Sequence, residues 1–503
     1  MNLSFNLVNS PWIPCIGAEG RAVDLSLRDA LGRAHEMREL YGESPLVTAA
    51  LYRLLLTLLH RVFGPAHYEA WDGLWRAGEW DTAKLGTYFE QWQHRFDLFD
   101  SQRPFDQAPD ERVKPKSVAS LIHDVASGNN ATLFDHHTDD RGPVLTPAQA
   151  ARMLVAAQVF GLAGLSGLPQ KFTDGTCASG IIFLVQGDNL FETLTLNLLQ
   201  YPDESVMGHS AQDRPAWEMD DPYTPDRARP LGYLDYLTWQ NRRVLFLPEE
   251  ESGSVVVRQM TMAPALRLDR DMLDPMTHYR LDETRGPIPL PFVEERALWR
   301  DSSALFRLQS EHHRPPRTFR WLAELVDEGY LDRAQTRRYL ALGMSKKQAK
   351  VNFYRSERLP LPLRYLQEKE MVDSLETALE MAENTARQLW GAARTLATFI
   401  ISPEADAELG RQPKREDLNA LTGQWAIERG YWPHLERPFR ETLEALPDNQ
   451  EAALAVWRET LRRTAWDAFD QVADGVGYDP IGLKAVVHGR EQLAAGLGKV
   501  LPS

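Results

Sequence analysis

Leu375-Glu376-Thr377-Ala378-Leu379-Glu380-Met381-Ala382-Glu383-Asn384-Thr385-Ala386-Arg387-Gln388-Leu389-Trp390-Gly391-Ala392-Ala393-Arg394-Thr395-Leu396 places Leu375, Ala378, Leu379, Ala382, Ala386, Leu389, Ala393 and Leu396 at steps of three and four. That spacing lines one side of an α-helix with apolar side chains and leaves charge on the other. Leu435, Phe439, Leu443 and Leu446 form a second stripe, and Leu454, Trp457, Leu461, Ala465, Ala468 and Val472 a third. A last helix is predicted across Ile481 to Val500, with breaks at Pro447-Asp448, Gly475-Val476-Gly477 and Pro480. Four such helices with short connections pack as an antiparallel bundle over residues 363–503, and the stripes are its core. The boundary falls at Leu359-Pro360-Leu361-Pro362, because a residue before proline is turned away from the helical region.

Upstream the signals are mixed. Ser44-Pro45 followed by an apolar run to Phe63 and Gly64-Pro65 predicts a buried core helix, and Thr146-Pro147 opens a second helix reaching Phe160. Ile181 to Val185, Val244 to Leu247 and Val255 to Val257 read as strands. Phe105 to Arg141 and Pro202 to Arg229 are polar, rich in Asp, Pro and Gly, and lack periodicity. The fold class is therefore α+β: a large mixed N-terminal domain over residues 1–362, then the bundle. With 503 residues the chain exceeds what one hydrophobic core holds, about 250–300 residues.

Hydrophobic residues are 43% and charged residues 25% of the chain, the balance of a folded globular protein. A net charge of −15 argues against a protein that coats nucleic acid over its whole surface, so any such contact must be local. The two cysteines, Cys15 and Cys177, form neither a disulfide framework nor a CxxC zinc spacing. The opening residues Met1 to Asn9 lack a basic region followed by an apolar run. The expectation is a cytoplasmic protein with no membrane partner.

The most enzyme-like cluster is His136-His137-Thr138-Asp139-Asp140. Adjacent side chains diverge on a helix or strand, so the pair is badly placed to share one ion. A polar loop is favoured over a metal-dependent nuclease or phosphohydrolase using His136, His137, Asp139 and Asp140, which stays as the rival reading. Gly161-Leu162-Ala163-Gly164-Leu165-Ser166-Gly167 lacks the Gly-Lys-Ser/Thr ending of a nucleotide loop. No catalytic residues, metal or cofactor are expected. Ser345-Lys346-Lys347-Gln348-Ala349-Lys350 differs in kind, concentrating three lysines around an amide and a small side chain in an acidic protein. Lysines attract phosphates, and a glutamine can bond base edges or push between them. The bland alternative is a pure scaffold whose lysines are solvated surface.

Phe5-Asn6-Leu7-Val8-Asn9-Ser10-Pro11-Trp12-Ile13-Pro14, Arg95-Phe96-Asp97-Leu98-Phe99, Arg103-Pro104-Phe105, Leu231-Gly232-Tyr233-Leu234-Asp235-Tyr236-Leu237-Thr238-Trp239-Gln240, Asp274-Pro275 through Tyr279-Arg280, and Arg296-Ala297-Leu298-Trp299-Arg300 recur in one order. Together with the terminal bundle they resemble the CasA family, large subunits of the type I-E CRISPR complex Cascade. The resemblance implies a non-catalytic subunit that recognises the protospacer-adjacent motif in double-stranded target DNA, aids strand separation and docks a helicase-nuclease effector. It also implies other Cascade subunits and crRNA as partners. The family pattern Asn-Gln-Ala is similar to Lys347-Gln348-Ala349, making Gln348 the wedge, Ala349 a close minor-groove contact, and Lys347 a departure that donates where Asn could also accept. Lys346 and Lys350 flank it. The family's glycine loop falls near Pro169-Gln170-Lys171 without its consecutive glycines, which points to Gln170 and Lys171. A basic finger corresponds to Tyr279 to Gly286, with Arg280 and Arg285 as candidates, and a recognition loop to Asn129 through His136, with Phe134, Asp135 and His136 facing nucleic acid. The cysteine cluster that some members carry before Tyr279 is missing, so zinc is not expected.

Overall fold

The computed structural model describes residues 3–122, 142–203, 207–208, 210–406, 412–477 and 479–502. They pack into two units, Met1–Ala297 with Leu308–Asp332 and Arg337–Arg358, and Leu298–Arg307 with Arg333–Thr336 and Leu359–Ser503.

The first unit is mixed α and β around the helix Pro45–Phe63. Ser44 caps it, its hydroxyl accepting from the Val47 amide at 3.3 Å, and Pro45 occupies the first turn, where no amide hydrogen is needed. The helix is long and apolar enough to cross a membrane, yet 89% of its apolar window is buried inside the protein, which is how a core helix behaves. Arg53 sits within it, fully buried, because the Asp274 carboxylate meets it at 2.7 Å. The same carboxylate accepts from the Tyr236 hydroxyl at 3.0 Å and the Cys177 thiol at 3.2 Å, so the buried charge is paired and hydrogen-bonded. The helix Pro147–Phe160 starts with a full capping box between Thr146 and Gln149.

Two three-stranded sheets carry the residues of functional interest. In one, Lys116–Ser117 pairs with Ser254–Pro264, which pairs on its other side with Arg242–Glu251. In the other, Lys350–Pro362 lies beside Thr336–Lys347, which pairs with the buried strand Ile182–Gln186. Pro360 and Pro362 thus belong to a strand and not to a linker. That strand is the outermost of its sheet, where a proline forfeits no ladder bond.

The second unit is helical: Lys369–Ile401, Arg415–Trp425, Glu428–Ala445, Gln450–Ala473 and Pro480–Val500, with the short segment Leu298–Arg307. Every apolar position of the first two stripes is buried, including Leu446 just past the end of its helix. In the third, Leu454 and Val472 are half-buried, and Ala453 and Phe469 complete the seam instead. Two buried polar ends find carbonyls: the Trp457 indole donates to Ala378 at 2.8 Å and the Tyr431 hydroxyl to Ala382 at 3.0 Å. Trp299, from the short segment, stacks on Phe439 with ring centres 4.5 Å apart. Arg415–Trp425 has only Leu418 buried, which is why no stripe announces it.

Candidate nucleic-acid interface

Thr336–Lys347 and Lys350–Pro362 form a hairpin whose two-residue tip is Gln348-Ala349. Gln348 has φ +58°, in the left-handed region where a two-residue turn normally places glycine. A side chain held there costs about 1–2 kcal/mol, so the hairpin carries strain at its outermost residue. Lys347, Gln348, Ala349 and Lys350 are exposed. Lys346 is not: its ammonium pairs with Asp174, whose other oxygen accepts from the Ala163 amide at 2.9 Å. One lysine of the three therefore ties the hairpin to the glycine-rich loop, and two face solvent.

Three amides of that loop are spent within the protein and are not free to cradle a phosphate: Gly161 donates to Ala157 at 3.0 Å, Gly164 to Phe172 at 3.2 Å, and Ala163 to Asp174. Gly161 is required by packing, since a Cβ there would lie 2.1 Å from the guanidinium carbon of Arg242. Leu165, at 83% exposure, projects beyond the loop. The Gln170 amide nitrogen is held by the Ala265 carbonyl at 3.0 Å, while Lys171 is exposed.

Between hairpin tip and loop lies a cleft of about 240 Å³, lined by Lys116, Gly161, Leu165, Phe172, Arg242 and Ala349 among others. Burial pushes the Lys116 ammonium down to about 8, and the neighbouring Arg242 charge adds to this. Burial likewise lowers Arg242, to about 10. Sequence reasoning missed both, because a lysine in an aperiodic stretch and an arginine opening a strand carry no local mark.

Arg280 and Arg285 share a hairpin of their own, Tyr279–Asp282 with Gly286–Pro289. Asp282 builds its turn, accepting from the amides of Thr284 and Arg285 at 3.0 Å each, and Gly286 supplies φ +73°. Both arginines are exposed, and neither lines the cleft beside Ala349. Phe134, Asp135 and His136, with His137, Asp139 and Asp140, lie outside the described residues. Among the described residues no group of three or more His, Cys, Asp or Glu side chains is placed to hold a metal ion.

The family model for CRISPR-associated protein Cse1 matches residues 6–468. A CRISPR-associated protein CasA/Cse1 from Thermus thermophilus is 36% identical over 515 residues, covering 99% of this chain and 98% of the relative. The crystal structure of CasA from Thermus thermophilus superposes with a TM-score of 0.81 at 31% identity, covering 99% of this chain and 100% of the other. A chain from a CRISPR RNA-guided surveillance complex shares the fold at 22% identity, with a TM-score of 0.77 and coverage of 98% and 99%. A mixed α/β unit and a helical unit matched over their whole length define a CRISPR-associated protein. The chain belongs to the Cse1 family, whose curated relative bears the double name CasA/Cse1.

Proposed function

We propose that this chain is the large, non-catalytic subunit of a type I-E CRISPR surveillance complex in the cytoplasm, and that it recognises the protospacer-adjacent motif in double-stranded DNA and starts strand separation there. The observation that carries the reading is the tip: Gln348, strained and exposed, stands between Lys347 and Lys350 on a hairpin anchored through Lys346 to Asp174. Lysines draw in the phosphates, and Gln348 enters a base step from the minor groove; unstacking it costs a few kcal/mol, offset by contacts along the opened duplex. Ala349, with no bulk beyond Cβ, lets the turn approach the groove floor. Lys347 donates to the minor-groove acceptors of A·T pairs, which are degenerate, so the accepted motif is permissive. Arg280 and Arg285 supply a second cationic contact, and Gln170, Lys171, Phe134, Asp135 and His136 are the remaining residues proposed to face the duplex. Sequence identity beyond the motif is read by pairing between crRNA and target strand, and a helicase-nuclease docks afterwards.

The test is a randomised-motif binding selection on the reconstituted complex. Lys347→Asn shifts the set of accepted motifs, and Gln348→Ala weakens capture of every motif. An unchanged motif set with Lys347→Asn, together with undiminished capture with Gln348→Ala, favours the pure scaffold.

A further inference from the structure

The sheet of Lys116–Ser117, Ser254–Pro264 and Arg242–Glu251 turns two cations inward. Lys116 is paired opposite Met260, and Met260 opposite Phe246. Opposed residues share a face, as do alternate residues along a strand, so Lys116, Met260, Phe246, Val244 and Arg242 point to one side. Met260, Phe246 and Val244 are buried there. A lysine in that row displaces the apolar side chain that the core-facing position calls for. Its ammonium lies 5.7 Å from the centre of the Phe172 ring, and the Arg242 guanidinium lies 5.5 Å from the same centre.

Arg242 donates to Asn241 at 2.7 Å and to the carbonyls of Leu162 and Thr173 at 2.7 and 3.2 Å, and no carboxylate among the described residues lies within ion-pairing distance of it. Asp174 influences it through space but is already bound to Lys346. Among the described residues Lys116 has no carboxylate or hydrogen-bond partner, and the one charge acting on it is the like charge of Arg242. Two cations facing one part-dry cleft repel each other, and an unpaired charge out of water is costly. An anion relieves both. The amides of Gly161, Ala163 and Gly164 are already bonded within the protein, so the side chains of Lys116 and Arg242 are the groups argued to hold it. Ala349 lines the same cleft, which puts that anion next to the residue carrying the wedge.

We propose that the cleft between Lys116 and Arg242 seats one backbone phosphate of duplex DNA, fixing the strand beside the step that Gln348 enters; this rests on the function proposed above. Lys116 makes the contact, and Arg242 holds the loop while adding its charge. The test uses the full chain with its lysines ¹³C-dimethylated, Lys116→Arg identifying the Lys116 resonance. Inorganic phosphate is expected to move that resonance saturably and raise its titration midpoint, and a short duplex is expected to do the same. In duplex binding, Lys116→Gln is expected to flatten the dependence of log K on log salt by about 0.9, the share of one phosphate. Lys116→Gln and Lys116→Met relieve the repulsion with Arg242, so both are expected to melt no lower than the parent. A Lys116 resonance unmoved by phosphate and duplex, or moved by phosphate alone, overturns the proposal, as does an unchanged salt slope. If Gln348→Ala proves silent in strand opening while Lys116 still answers to duplex, the wedge fails and the phosphate seat stands.

Discussion

Under the proposed function, stability and activity part at Gln348. Its φ of +58° suits glycine, so Gln348→Gly removes strain. Thermal unfolding of Gln348→Gly should show a gain of up to about 1 kcal/mol, while strand opening falls as it does for Gln348→Ala. A glutamine retained by packing alone predicts the opposite, a stability loss with opening intact. The tip's residues were legible in the sequence because three lysines in an acidic chain stand out. What the sequence could not show is that Lys346 is consumed by Asp174, 172 positions away, since that pairing exists only once the hairpin and the loop are folded together. Lys116 and Arg242 were hidden for the same reason: their inward direction follows from register across three strands, not from their neighbours in the chain.

At the scale of the element, the core helix Pro45–Phe63 was readable from its cap and its apolar run, and it carries a pH liability. His60 is buried, with Nδ1 2.7 Å from the Leu56 carbonyl, and burial lowers its pKa from 6.5 to about 4. His278, buried against His313 at 3.1 Å, is lowered to about 3 by burial first and by that neighbour second. For each, the unfolded chain binds a proton in a window where the folded chain does not, so stability is full above pH 6.5 and drains away as pH falls toward 4 and 3. Chemical denaturation from pH 7 to 4 should lose on the order of 3 kcal/mol per histidine, and His60→Gln should flatten the upper part of that fall. In the helical unit, Gly489 faces the Phe469 ring so closely that an added Cβ would lie 2.6 Å from it. Gly489→Ala should cost about 1–3 kcal/mol in thermal unfolding, through overpacking. A neutral result would mean that Phe469 can turn aside. Three apolar stripes, and for the last helix the breaks before it, made four bundle helices legible; Arg415–Trp425 was not, having one buried residue, nor was the part played by Leu298–Arg307, which reaches the unit from the far side of the hairpin in sequence.

For the molecule as a whole, the proposed function asks for local, not general, contact with nucleic acid, and an acidic chain with a few cations gathered at a hairpin tip and cleft suits that. Membership of the Cse1 family and the matching fold give that arrangement its setting. The central claim is that Gln348 opens duplex DNA by insertion, and it is tested most directly by comparing parent and Gln348→Ala complexes on a linear duplex and on the same duplex melted beforehand beside the motif. A wedge predicts that Gln348→Ala loses R-loop formation on the linear duplex and regains most of it on the melted one. Equal loss on both substrates would contradict it.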